Sequence, residues 1–229
     1  MREELSILRL IQGGEYLVFS EIGRFSRRNH ELILAYGSSN LGLKLAGAFG
    51  VIAVTRYNRR TLTTIHLALV DDWELSGNGS GDVRRLQFEP LRRLVSIYNR
   101  LGIRGSFNAE VMQQLTFRQY QNEHEELKTW ANEWDDIVWE TFRQGHDIQL
   151  HIHPQWQNAE YIDGRWSLTS DWSILNYSRE AAHQMLVRGK EYLENLLKDI
   201  DANYRCVSFR SGAWCIAPST HMLELLVNL

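Results

Sequence analysis

From residue 61 onward, apolar runs of strand length alternate with amphipathic stretches of helical length, and no other feature of the chain restricts its fold as much. Ile65-His66-Leu67-Ala68-Leu69-Val70 is a continuous run, the pattern of a strand covered on both faces. After a Gly-rich loop (Ser76 to Asp82), Phe88, Leu91, Leu94, Val95, Tyr98 and Leu101 recur at helical spacing. Pro90 fits the first turn of that helix and Gly102 ends it. The cycle then repeats three more times. Strands are expected at Ile103 to Ala109, Asp147 to His153 and Cys206 to Phe209, and helices at 119–144, 178–198 and Thr220 to Asn228. Such alternation argues a parallel sheet, open or closed into a barrel. The expected fold is therefore α/β, an incomplete (β/α) barrel. About four units are present where closure takes roughly seven or eight, so a fragment is the simplest expectation.

Residues 1–60 have a different character. They read as short helices broken by Gly13-Gly14, Gly37 and Gly42, a mainly helical N-terminal extension ahead of a (β/α) domain over 61–229. The most apolar stretch, Leu41 to Val54, contains Lys44 and is too short to span a bilayer, so a buried segment is expected and no transmembrane segment. The alternative is a peripheral membrane contact aided by Arg56, Arg59 and Arg60. Arg24, Arg27 and Arg28 read as a solvated face.

Composition closes off several classes of function. The net charge of −3 supplies no basic excess for binding nucleic acid. With 44% hydrophobic and 23% charged residues the chain has the balance of an ordinary globular protein. Its N-terminus lacks the basic-then-apolar order of a signal peptide. Cys206 and Cys215 are too few for a disulfide framework and read as reduced, buried thiols in a cytoplasmic protein.

The candidate chemistry gathers at strand ends. In Gly145-His146-Asp147-Ile148-Gln149-Leu150-His151-Ile152-His153-Pro154, alternation puts Gln149, His151 and His153 on one face. Pro154 stops the ladder and leaves both imidazoles at the C-terminal rim, where they can converge on one divalent ion. The first strand ends in Asp71-Asp72-Trp73-Glu74, carboxylates that follow a buried run and are costly unless paired, protonated or bound to a cation. One aspartate with two histidines leaves coordination positions open for water and substrate, as catalytic metals require. The other aspartate is then available as a general base. Arg210 on the fourth strand can orient a carboxylate, and Trp214 offers an apolar wall.

From about residue 61 onward these segments resemble the polysaccharide deacetylase (NodB-homology) superfamily. Val70-Asp71-Asp72 resembles its first motif, and Gly102-Ile103-Arg104-Gly105-Ser106-Phe107 its second strand. Gly145-His146-Asp147-Ile148 with His151, and Phe209-Arg210 with Trp214, resemble its later segments. The resemblance implies a hydrolase that removes acetyl groups from an N-acetylated (or O-acetylated) sugar, in making a surface polysaccharide. It implies Asp71 as catalytic base, Asp72, His151 and His153 as ligands of a divalent metal (zinc foremost), and Arg210 steadying Asp71. Trp73, Trp156 and Trp214 are then candidates to line the sugar site.

Two departures leave alternatives open. The family's second histidine falls at Gln155, so His153 substitutes for it. Some relatives carry Asp-x-Glu, a register in which Asp72 becomes the base and Glu74 the ligand. The general acid is expected beyond Leu229. Two other functions stand beside the leading one: hydrolysis of a non-sugar C–N bond within the same superfamily, and a non-catalytic carbohydrate-binding or scaffold domain.

Overall fold

A computed structural model describes residues 10–12, 15–17, 31–37, 49–58, 61–75, 79–214 and 220–229, with side chains from residue 68 onward except at 214, 220 and 221. In chain order the elements are β1 (Leu10–Gln12), β2 (Glu15–Leu17), β3 (Glu31–Gly37), β4 (Phe49–Asn58), β5 (Thr61–Trp73), α1 (Glu89–Leu101), β6 (Gly105–Glu110), α2 (Val111–Tyr120) and α3 (Glu125–Arg143). They continue with β7 (Asp147–Ile152), β8 (Glu160–Ile162), β9 (Arg165–Ser167), α4 (Arg179–Leu197), β10 (Phe209–Ser211) and α5 (Thr220–Val227). The main sheet runs β10-β7-β6-β5-β4-β3. Its β5, β6, β7 and β10 are parallel and curl into a half-barrel.

The N-terminal expectation needs correction. Residues 31–37 and 49–58 are strands, not helices, and β4 pairs antiparallel with β5 along its whole length. The second segment is rich in β-branched and aromatic residues (Phe49, Val51, Ile52, Val54, Thr55 and Tyr57), which suit a pleated surface, and the first brings Ile33 and Tyr36. The pairing also covers the outer edge of β5, which would otherwise present unpaired main-chain groups. Phe49 to Val54, part of the most apolar stretch, lies in β4, and no helix of the described residues is long and apolar enough to cross a membrane. Arg24, Arg27, Arg28 and Cys215 lie outside the described residues.

Three other boundaries move for identifiable reasons. The helix expected over 119–144 starts later, at Glu125, because His124 is extended (φ −133°) and stands at its N-cap, and α2 (Val111–Tyr120) is a further helix that the sequence expectations lack. Glu125 and Glu126 then sit in the first turn of α3, where they complement its dipole. The fourth strand begins later than expected, because the Gln149 side chain accepts the N–H groups of Val207 (3.0 Å) and Ser208 (2.8 Å). The β8–β9 hairpin is missing from the sequence expectations, although Asp163-Gly164, both at positive φ, is a strong two-residue turn signal.

The parallel strands have two unlike faces. On one, Ile148, Leu150 and Ile152 of β7 are buried, and α4 lies so close that a Cβ on Gly189 would come 2.7 Å from Leu150 Cδ1. Phe107 of β6 stacks on Tyr98 of α1, and Trp73 of β5 stacks on Trp134 of α3 with centroids 5.1 Å apart. This face is the apolar core. The opposite face carries Asp72, Asn108, Glu110, His151 and His153, all buried.

Candidate metal centre

Parity along each strand delivers these polar side chains to one place. The register sets Glu110 of β6 and Arg210 of β10 on either side of His151. The Nδ1 of His151 lies 2.8 Å from the Arg210 carbonyl oxygen, which can only accept, so Nδ1 donates and Nε2 is the nitrogen turned to the carboxylates, able to carry a proton or, once that is lost, to offer a lone pair to a cation. That Nε2 lies 3.2 Å from Oε2 of Glu74, the first residue past β5. His153 Nε2 lies 2.5 Å from the same oxygen. Glu74, Glu110, His151 and His153 thus each offer a ligand atom, all within 4.8 Å of one another.

His153 is held from several sides. It lies just past the end of β7, and its N–H donates to Oε2 of Glu110 at 2.5 Å. The other Glu110 oxygen accepts the N–H groups of Met112 (2.8 Å) and Gln113 (3.3 Å) and caps α2. The side-chain amide of Gln155 is 3.0 Å from His153 Nδ1. Gly212 passes so near the ring that a Cβ there would lie 2.9 Å from Cγ and Cδ2.

Beside the cluster stands a second polar group. Arg210 Nη1 donates to Asp72 Oδ2 at 2.9 Å, and Asn108 Nδ2 donates to Oδ1 at 2.9 Å. Three buried or half-buried carboxylates (Asp72, Glu74, Glu110) therefore surround the two imidazoles, with Arg210 the cation paired to Asp72. The electrostatic consequence is large. Burial alone would push His151 down, but the charge of Asp72 and the hydrogen bond to Glu74 outweigh it and hold the imidazole up at about 10. Burial likewise pushes Glu74 up, and its hydrogen bonds to His151 and His153 overcome this and hold the carboxyl well below the usual range. Burial pushes Glu110 up, opposed in part by the two histidines. An imidazole forced to keep a proton between carboxylates marks a place that calls for positive charge. Two imidazole nitrogens and a carboxylate oxygen are a donor set that suits zinc and other divalent transition metals.

The structure sorts the expected site residues. It brings His151 and His153 together and pairs Arg210 with Asp72. Asp72 is not in the four-residue cluster; Glu74 is, as in the Asp-x-Glu register. Asp71 needs correction as the base: it is level with Phe107 in the ladder and leaves the strand on the face opposite Asp72. Trp73 is 3% exposed, packed against Phe88 and Trp134 with its indole N–H donating to the Gln87 carbonyl, so it cannot line a sugar site. Trp156 is equally buried, against Phe117 and Trp166. The Trp214 side chain lies outside the described residues. Glu110 escapes the sequence reading, although an acid directly after the second strand is the same signal that marks Asp72.

Among known proteins, no family model, no curated sequence and no solved structure matches this chain.

Proposed function

We propose that this chain is a metal-dependent hydrolase of acyl C–N or C–O bonds, acting on an acetylated sugar as the polysaccharide deacetylases it resembles do. The observation that carries the reading is the convergence of Glu74, His151 and His153, within reach of one ion, beside an Asp72 oriented by two donors. Glu74, His151 and His153 hold the cation, zinc foremost. A divalent cation there supplies Lewis acidity to an acyl carbonyl and to water. Asp72 takes the proton of the attacking water; each of its oxygens receives one donor and keeps a lone pair for that task. Arg210 and Asn108 fix the direction of that lone pair. Arg210 also holds the His151 tautomer through its carbonyl, so one residue of β10 serves both parts of the site.

A second reading has a specific observation in its favour. With Trp73 and Trp156 both in the core, two of the three expected sugar-stacking walls are withdrawn. Hydrolysis of a non-sugar amide by the same groups is compatible with that loss.

The test is metal analysis followed by a substrate panel. The purified chain, loaded with Zn2+, is expected to hold about one ion per chain and to release acetate from N-acetylglucosamine oligomers or an O-acetylated glycan. Turnover of a cyclic amide such as hydantoin instead would select the second reading. Absence of bound divalent metal, with no hydrolysis across the panel, would sink both.

A further inference from the structure

We propose that Glu110 is a positioning residue and not a metal ligand: its carboxylate ties the main chain of His153 to the first turn of α2, and so sets where the His153 imidazole meets Glu74. The inference rests on the metal-centre reading above and deepens it.

The reason lies in where the ladder stops. β7 ends at Ile152, and Pro154 follows with no N–H of its own. The His153 N–H is thus a buried donor at a strand end, where an unpaired group is costly. Glu110, the last residue of β6, is level with His151, so its side chain extends up to that amide. The carboxylate is fully buried and receives three main-chain N–H groups, from His153, Met112 and Gln113. Such charge-assisted bonds, at a helix N-terminus, are what keep a buried carboxylate in place. Both of its oxygens already answer to the backbone.

The remaining restraints on His153 come from elsewhere: Gly212 against the ring and Gln155 at Nδ1. Main chain, ring face and Nδ1 are each fixed, which leaves Nε2 to face Glu74. Glu74 has the complementary character, meeting both imidazoles with one oxygen. With Glu74, His151 and His153 as ligands and Glu110 behind them, the ion keeps open positions, as a catalytic metal needs.

Glu110→Asp separates the two duties of the residue. Aspartate is among the best N-caps, so α2 keeps its cap, but the side chain is one methylene too short to hold the His153 amide as well. The chain, Glu110→Asp and Glu110→Gln are titrated with Co2+ and Zn2+, and the Co2+ absorption spectrum is recorded at saturation, since it reports ligand number and type. The expected result is an unchanged saturated spectrum with affinity weakened about 10–100-fold, as for other residues that orient ligands. A changed saturated spectrum overturns the proposal by making Glu110 a ligand. Unchanged affinity overturns it by reducing Glu110 to a helix cap. If Glu110→Asp fails to fold by circular dichroism, Glu110→Gln, which keeps the side-chain length, decides on the same two readouts. An unsubstituted chain that takes up neither ion overturns the metal-centre reading and this proposal together, an outcome visible before any variant is compared.

Discussion

Asp71 and Asp72 are neighbours in sequence and belong to different environments. Asp72 faces Asn108 and Arg210 on the polar side of the half-barrel, and both its oxygens are paired. Asp71 lies beside Phe107 on the side covered by helices, where its Oδ1 is sealed from solvent with no hydrogen-bond partner among the described residues. The same contrast runs across the sheet. One face is made of Phe107, Ile148, Leu150 and Ile152 packed under helices; the other is made of groups that bond, titrate or ligate. A strand can build a core and a reactive surface at once because its side chains alternate. Substitutions should therefore separate cleanly: stability from one face, ion binding from the other.

The largest expected effect is on the apolar side. Trp134 is fully buried, stacked on Trp73 and edge-on to Tyr192. Trp134→Ala should cost about 3–5 kcal/mol of folding free energy, read from urea denaturation, while the folded fraction keeps its affinity for Zn2+. Loss of ion binding without loss of stability would break the division between the faces.

The mirror experiment sharpens it. His151→Ala removes a ligand, so Zn2+ affinity should fall by more than the roughly 100-fold that residues behind the ligands cost, or more than about 2.7 kcal/mol. Metal-free stability, measured in the same denaturant, should change by less than in the tryptophan variant. His151 is as buried as the core residues, so a loss equal to that of Trp134→Ala would make it a packing residue after all.

Which face a residue takes was only partly legible. In β7 the strict alternation of Ile148, Leu150 and Ile152 with Gln149, His151 and His153 assigns both faces, and the structure follows it. In β5 the four residues before the acids, Leu67 to Val70, are all apolar, so they set no parity for the acids that follow. A one-residue slip then exchanges Asp71 for Asp72 and puts Trp73 at the site instead of in the core. Counting two residues on from Asp72 reaches Glu74, which is why the Asp-x-Glu register names the carboxylate that geometry brings to the histidines. Glu110 was hidden by having two roles, since it begins a helix as well as ending a strand. The strand at 31–37 was obscured by Gly37, read as a helix break when it ends the strand, and the strand at 49–58 by the lack of any alternation over Phe49 to Val54.

The smallest expected effect, read per unit of pH, tests the parity of Asp71 directly. Burial, and next the charge of Asp72, push its carboxyl up to about 8 from an ordinary value of 3.8. A group that holds its proton more tightly when folded supports the fold fully below its unfolded value, and that support is lost as pH rises through the folded one. Asp71→Asn replaces the neutral carboxyl with a group that does not titrate. Its stability relative to the unsubstituted chain should be unchanged near pH 4, rise steadily above that, and level off beyond about pH 8. The gain should grow by no more than about 1.4 kcal/mol for each pH unit of that window, the slope set by a single proton. Urea denaturation of both proteins across pH 4 to 9 measures the difference, and comparing the two cancels the titration of every other group. A difference independent of pH, or a loss at pH 8, would mean that Asp71 is ionised and paired, and would place it back on the side of the histidines.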